Sequence, residues 1–266
     1  MQKLAVIAIA GLTLSAVCFG GVAAVGAGQG VRDTGWNGLD FSMFSEKPRC
    51  EAVPGATATN RTLDWDGSDT IGLSVGGTAT WSPSNDGKVH VSGDPQLIAH
   101  VRVEDGGIEL NCRGSRGARK SLRITLPGGP FKRFSIAGSG NLEMKGLNQQ
   151  EVTLSIAGSG NIKADGEVEK ATIRVAGSGD VAMTGRVTDA DIHIAGSGNV
   201  RMGQAQTRTT KVRIAGSGEA DIAPTERADI HISGSGDVNL FTHPREQETS
   251  VAGSGRIRHV SRDSGI

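Results

Sequence analysis

The tripeptide Gly-Ser-Gly recurs seven times in the second half of the chain, and this repeat limits the fold more than any other feature. The seven copies begin at Gly138, Gly158, Gly177, Gly196, Gly216, Gly234 and Gly253. The intervals between successive copies are 18 to 20 residues. A period of this length is typical of solenoids, in which each repeat forms one coil that packs only on its neighbours.

The residues on both sides of each Gly-Ser-Gly alternate between apolar and polar. The position two residues before the first glycine holds Ile136, Ile156, Val175, Ile194, Ile214, Ile232 and Val251. The position four residues after it holds Leu142, Ile162, Val181, Val200, Ala220, Val238 and Ile257. Alternation with β-branched residues indicates strands with one buried face, and glycine supplies the positive φ of a tight turn. The predicted fold is all-β, a single-stranded parallel β-helix with coils of about 19 residues. Most parallel β connections are right-handed, so we expect a right-handed coil.

Residues 53–130 lack the Gly-Ser-Gly motif but keep the alternation of strands, with turn signals between them. We expect this segment to form irregular N-terminal coils and the cap that the end of a solenoid requires. The predicted domain is 53–262, with the regular repeats at 134–260. A slip of one residue would turn every inner side chain outward. The variation in repeat length must therefore be absorbed in irregular connecting segments such as 146–151 and 203–209.

Composition excludes several other classes of protein. The chain has 40 glycines among 266 residues, about twice the usual share of roughly 7 %, which argues against a helical bundle. Its 28 basic and 28 acidic residues balance, so no excess positive charge is available for nucleic-acid phosphates. The cysteines and histidines lack the spacing of a zinc site, and we predict no cofactor and no metal.

The N-terminus has the pattern of an export leader. A short positive start is followed by an apolar run and then by small residues, which predicts a signal peptide at 1–27, cleaved after Ala24 or Ala27. The alternative is an uncleaved anchor at 4–25, which would be the protein's only contact with the membrane. The residues before Cys18 fit a lipoprotein signal poorly. Residues 28–52 are interpreted as a linker.

Two cysteines, Cys50 and Cys112, remain after the leader. An exported chain enters an oxidising compartment, so we expect a disulfide between them. The alternative is that Cys112, which continues the alternation of Ile108 and Leu110, is a buried free thiol on the inner face of a strand.

The segments 122–127 (LRITLP) and 131–142 (FKRFSIAGSGNL), followed by the stacked repeats, resemble the bacterial family "putative auto-transporter adhesin, head GIN domain". The resemblance covers about residues 53–260. It implies an exported two-sheeted β-helix in which Gly-Ser-Gly makes the turn between the sheets. It also implies a function in cell adhesion and supplies no catalytic residues.

One outward column is the best candidate for a binding surface. The position three residues before each turn holds Ser135, Ser155, Arg174, His193, Arg213, His231 and Ser250. Its four consecutive basic members, Arg174, His193, Arg213 and His231, could engage an acidic polysaccharide or lipid headgroups. The acidic residues of the next outward column, Asp191, Asp229 and Glu248, could instead neutralise them and leave an ordinary solvated face.

Three other chemical interpretations are weaker. The residue after each turn is Asp in only two of seven copies, which disfavours a calcium ladder. Asn and Asp in this column are expected to hydrogen-bond their own turn and the next coil. The turn serines have no histidine or acid at a fixed offset to activate them. Coils of about 19 residues leave no long loops for the cleft that a polysaccharide lyase needs.

The sequence therefore predicts an exported, non-enzymatic β-solenoid that acts as a surface or envelope binding module, with adhesion as the leading function. Its expected ligand is a cell-surface glycan or protein, and its expected location is the periplasm or the cell surface. The alternative is a periplasmic structural or envelope-maintenance protein. A more remote alternative is a polysaccharide-active β-helix enzyme. The oligomeric state stays open.

Overall fold

The structure is a computed structural model, and it describes Cys50, residues 54–112 and residues 122–260. The predicted leader at 1–27 and nearly all of the predicted linker lie outside the described residues.

The described chain is almost entirely β-structure, with one short helix. The N-terminal strands are β1 (Asn60–Asp64), β2 (Thr70–Ser74), β3 (Thr78–Trp81), β4 (Lys88–Ser92), β5 (Val101–Glu104), β6 (Gly107–Leu110) and β7 (Arg123–Thr125). The helix α1 (Pro95–Ile98) lies between β4 and β5. The strands of the repeats are β8 (Arg133–Gly138), β9 (Asn141–Gly158), β10 (Asn161–Gly177), β11 (Asp180–Gly196), β12 (Asn199–Arg201), β13 (Ala205–Gly216), β14 (Glu219–Ile222), β15 (Pro224–Gly234), β16 (Asp237–Leu240), β17 (Glu246–Gly253) and β18 (Arg256–His259).

The repeats form the predicted parallel β-solenoid, with about seven turns and coils of about 19 residues. Each Gly-Ser-Gly stands at the same place in successive coils, because Gly158 pairs with Gly177 and Gly177 with Gly196. Backbone hydrogen bonds continue through the turn itself. The amide of Ser178 donates to the Gly158 carbonyl at 2.9 Å, and the amide of Asp180 donates to the Gly160 carbonyl at 3.2 Å.

The connecting segments absorb the variation in repeat length, as expected, but the first of them are not irregular. Strands β9, β10 and β11 each run from one Gly-Ser-Gly turn to the next without a break. The extra residue of the first 20-residue coil is accommodated where the pairing of β9 with β10 shifts between Ala164 and Gly166. The 18-residue coil is accommodated between Arg201, which is in register with Asp221, and Thr207, which is in register with Pro224, and the pairing shifts once more between Thr207 and Thr209.

A pair of glycines that the sequence analysis missed lies in register in β10 and β11, at a position where the preceding coil has Leu147 and the following coil has Ala205. Gly166 pairs with Gly185, and both residues have positive φ, +148° and +98°. A Cβ on Gly185 would lie 2.1 Å from the Gly166 carbonyl oxygen. Close stacking of β11 on β10 therefore depends on glycine at position 185 as well as at Gly-Ser-Gly.

The inner columns form the core that the alternation predicted. Phe134, Leu154, Ile173, Ile192, Val212 and Ile230, four residues before the turn, are all fully buried. Burial of one such side chain stabilises the fold by roughly 1.5–3 kcal/mol. At the C-terminal end no described coil covers the last strand, and Val251 is 43 % exposed there.

The N-terminal end is closed by antiparallel strands. Strands β2 and β3 form a coil that pairs in parallel with β8 and β9. On the other side of that coil lie β6 and β7, also parallel to it. Strand β5 then pairs antiparallel with β6, β4 with β7, and β1 with β4. Strands β6 and β7 thus lie on the side of the first coil that faces away from the repeats. The antiparallel strands β1, β4 and β5 beyond them end the parallel ladder.

Candidate binding surface

The basic row, defined as Arg174, His193, Arg213 and His231, lies on adjacent parallel strands. Arg174 is in register with His193, His193 with Arg213, and Arg213 with His231. Neighbouring strands are about 4.8 Å apart, so the row is a line of side chains along the solenoid axis. All four side chains are exposed or half-exposed.

Two carboxylates partly neutralise this row. Asp191 Oδ1 lies 3.0 Å from His193 Nε2 and 3.5 Å from Arg213 Nη1. Asp229 Oδ1, a buried oxygen with no other partner among the described residues, lies 2.9 Å from His231 Nδ1. Both aspartates belong to the outward column whose neutralising effect the sequence suggested. Three of the four members of the row are therefore already engaged by a carboxylate.

Arg174 differs from the other members of the row. It has no hydrogen bond and no ion pair within the described residues, and it is exposed. Its register partner in β9 is Ser155, and Thr172, two residues before it, is in register with Thr153. Hydroxyl side chains thus stand beside Arg174 on the β9 side. On the β11 side Asp191 is in register with Thr172. Its carboxylate contacts His193 and Arg213 and makes no ion pair with Arg174, whose five N–H donors are left available.

The surface beside the row is flat. The outward position directly before each turn is a small residue in every repeat: Ala137, Ala157, Ala176, Ala195, Ala215, Ser233 and Ala252. These residues are exposed. The sequence analysis did not assign this column to the candidate surface, although its repetition is visible in the sequence. A ligand that contacts Arg174 can therefore lie across the row without meeting a large side chain on the turn side.

The column after the turns forms side-chain ladders. Asn161 Nδ2 donates to Asn141 Oδ1 at 2.8 Å, and Asn199 Nδ2 donates to Asp180 Oδ1 at 2.8 Å. These are the contacts with the next coil that were expected in place of calcium ligation. In the described part of the chain no group of three or more His, Cys, Asp or Glu residues is placed to hold a metal ion.

At the C-terminal end of this column an ion pair replaces the amide ladder. Arg256 Nη2 lies 3.2 Å from Asp237 Oδ2, and Arg258 Nη2 lies 3.3 Å from the same oxygen. The hydrogen bond from Arg256 is the main reason why the pKa of Asp237 is lowered. The last two coils are thereby connected outside the core.

Two open cavities border the described surface, and neither contains a turn serine. One, of about 370 Å³, is lined by Asn148, Glu167, Glu169 and Arg186, among others. Glu167 is paired there with Arg186 at 3.3 Å. The other, of about 420 Å³, lies at the N-terminal end beside α1. The turn serines make no side-chain hydrogen bond in the described region.

The two cysteines are joined in the structure. Cys50 and Cys112 have their sulfur atoms 2.07 Å apart and their Cα atoms 4.8 Å apart. Cys112 is buried, and Cys50 packs against the same core. The bond holds Cys50 close to the end of β6. In 54–112 and 122–260, no helix has the length and the apolar character that crossing a bilayer requires.

The family described as "Putative auto-transporter adhesin, head GIN domain" matches residues 68–244. The chain belongs to this family. The match begins just before β2 and ends after β16, so it takes in the first coil and most of the solenoid. The resemblance inferred from the sequence is thereby confirmed.

Solved structures show the same fold. A chain described as a "putative adhesin" from Bacteroides fragilis NCTC 9343 superposes with a TM-score of 0.69 at 22 % identity, over 76 % of this chain and 96 % of that one. A "putative lipid binding protein" from Parabacteroides distasonis ATCC 8503 gives 0.60 at 22 % identity, with the same coverage. A "putative adhesin" from Parabacteroides merdae ATCC 43184 gives 0.57 at 17 % identity, over 76 % and 95 %. No curated protein sequence matches significantly.

The names carried by the head GIN family and by these structural neighbours are those of adhesins and of a lipid-binding protein, not of enzymes. Identities below 25 % establish the shared fold alone, and the fold by itself does not determine a ligand.

Proposed function

We propose that this head GIN domain is an exported, non-enzymatic binding module that acts in adhesion by holding an anionic surface ligand on the basic row. The observation that supports this proposal best is Arg174, an exposed cation without a carboxylate partner on a flat face of the solenoid. A contact between an exposed guanidinium and a carboxylate contributes up to about 1 kcal/mol, most where the pair is bidentate. An acidic glycan fits this face, because its carboxylates can meet Arg174 and its hydroxyls can meet Ser155 and Thr172.

The rest of the row has a secondary part in this proposal. Arg213 is 3.5 Å from Asp191, and this partly exposed pair is worth about 0–1 kcal/mol. A ligand carboxylate can therefore compete for Arg213 at modest cost. Two coils, or about 9.6 Å, separate Arg174 from Arg213 along the axis, so a ligand that contacts both must carry more than one anionic group.

Binding of an immobilised acidic polysaccharide, polygalacturonate, by the purified protein tests the ligand class, with neutral dextran as the reference. We expect Arg174→Gln to weaken binding up to about fivefold and Arg174→Gln/Arg213→Gln to weaken it further. Arg201→Gln is the control for net charge, because it removes an arginine of β12 that lies outside the basic row and is paired with Asp180 at 3.3 Å. Vesicles containing an anionic phospholipid provide the second arm, since a lipid phosphate offers the same charge. Equal binding by wild type and the double variant would contradict the proposal.

Location is tested separately, by protease treatment of cells that carry an epitope-tagged copy. Degradation on intact cells supports adhesion at the cell surface. Protection until the cells are permeabilised contradicts adhesion and favours the periplasmic structural role.

A further inference from the structure

The cavity beside α1 contains a pair of arginines that the basic row does not explain. Its walls are the loop 54–58, Asn60 and Arg61 at the start of β1, the helix, and Arg102 in β5. The cavity is open to solvent and has a volume of about 420 Å³, which is enough for a small organic molecule. It lies in the N-terminal cap, by which we mean the part of the domain from β1 to β7, and therefore outside the repeats that carry the basic row.

The two guanidinium groups are held side by side by shared acceptors. Arg61 Nη1 donates to the carbonyls of Ala99 at 3.0 Å and Val101 at 3.1 Å. Arg102 Nη1 donates to the same two carbonyls, at 2.9 Å and 3.0 Å. Arg61 Nη1 also donates to the carbonyl of Ile98 at 3.2 Å. Each side chain uses a single nitrogen, so Nε and Nη2 of both arginines have no acceptor in the described part of the protein.

No carboxylate lies within ion-pair distance of either guanidinium among the described residues. Two exposed lysines nearby do have such a partner, Lys88 with Asp64 at 2.9 Å and Lys132 with Asp69 at 2.9 Å. Burial and the neighbouring charge of Arg102 lower the pKa of Arg61. The carbonyls at the end of α1 offset only part of this charge, because a single helical turn has a small dipole.

We propose that this arginine pocket binds an oxyanion, either a phosphate or a sulfate ester of a small organic group. Guanidinium groups bind such anions in a planar, bidentate arrangement, and two of them side by side can contact two edges of one tetrahedral anion. Pro54, Ala56 and Pro95 give the cavity an apolar wall on which the organic group can lie. The bound anion supplies the negative charge that the pair lacks.

Titration of the protein with inorganic phosphate, followed by the NMR signals of the arginine Nε–H groups, tests the proposal. We expect a saturable change in the Arg61 and Arg102 signals, and we expect Arg102→Gln to weaken binding about tenfold or more. Chloride at matched ionic strength should have no saturable effect. Methyl phosphate and methyl sulfate, titrated separately, identify which ester is preferred.

Arg102 is chosen because, in a variant that lacks it, Arg61 still donates to the Ala99 and Val101 carbonyls. Arg102→Lys keeps the charge without the planar fork and should bind with intermediate affinity, which separates loss of the site from loss of folding. Arg123→Gln is the matched control, an exposed arginine of the same cap without a carboxylate partner. An unchanged affinity for phosphate in Arg102→Gln, or no saturable effect in the wild type, would overturn the proposal.

Discussion

Two alanine substitutions in the same column of turn glycines should differ in cost, because only one of them forces successive coils apart. Gly138 and Gly177 are both the first glycine of a Gly-Ser-Gly, with φ of +110° and +123°. A Cβ on Gly138 would meet nothing within 4 Å, whereas a Cβ on Gly177 would lie 2.4 Å from the Gly158 carbonyl oxygen. The pair therefore separates backbone strain from a collision between coils.

The difference can be estimated from the contacts of each turn. Alanine at this φ costs about 1–3 kcal/mol in either position. At Gly177 the same carbonyl oxygen of Gly158 also accepts the Ser178 amide at 2.9 Å, and the Asp180 amide donates to the Gly160 carbonyl at 3.2 Å. Moving the coils apart to accommodate the Cβ weakens both hydrogen bonds, at about 1 kcal/mol each. We expect Gly138→Ala to cost about 1–3 kcal/mol and Gly177→Ala about 3–5 kcal/mol.

Urea denaturation followed by far-UV circular dichroism measures the total loss of stability. Solenoids do not always unfold in a single step, so amide exchange at Ser178 and Asp180 should be measured beside it. Faster exchange at these two amides in Gly177→Ala, with little change in Gly138→Ala, is the expected pattern. Equal losses of stability in the two variants would refute the argument that close stacking of coils requires glycine here.

Two further predictions concern the ends of the domain. Cys50→Ser/Cys112→Ser, or reduction of the wild type, should lower the free energy of unfolding by about 4 kcal/mol for a loop of this length. Urea denaturation with and without reductant, with thiol counting as the control, measures this loss, and no change would contradict it. The lowered pKa of Asp237 means that its ion pairs with the arginines of β18 stabilise the fold above the ordinary value of 3.8 and are lost as the pH falls below it. Amide protection in β18 should therefore decrease as the pH falls below 3.8. Asp237→Asn should remove this dependence, and an unchanged dependence would contradict the assignment.

Most of the solenoid is predictable from sequence because its contacts repeat. In a parallel stack, residues at the same position of successive repeats are neighbours, so one alignment of the repeats gives both the core and the surface columns. This is why Leu154, Ile173 and Ile192 are found in one buried column, and why Arg174 and His193 are in register. The same argument explains the position of the basic row without any knowledge of the coordinates.

The N-terminal cap could not be predicted in the same way, because its pairings are not periodic. The antiparallel pairing of β4 with β7 joins His90 to Thr125 across a long stretch of chain, and no repeat marks that contact. The arginine pocket depends on this topology as well, since Arg61 and Arg102 are brought together by carbonyls at the end of α1. A single arginine in each of two short strands gives no signal in the sequence that the two side chains meet.

The register of the basic row and the neutralisation of its charges by carboxylates have different origins. This difference decides where a ligand can bind. Register follows from the period alone, whereas neutralisation depends on the residue two positions earlier, on the same strand for the two histidines and on the neighbouring strand for Arg213, whose own strand has Lys211 there. Asp191 and Asp229 stand two residues before His193 and His231, and each aspartate contacts its histidine. Thr172 stands two residues before Arg174 and offers no charge. The unneutralised part of the row therefore lies at its N-terminal end, and an anionic ligand should approach the solenoid there first.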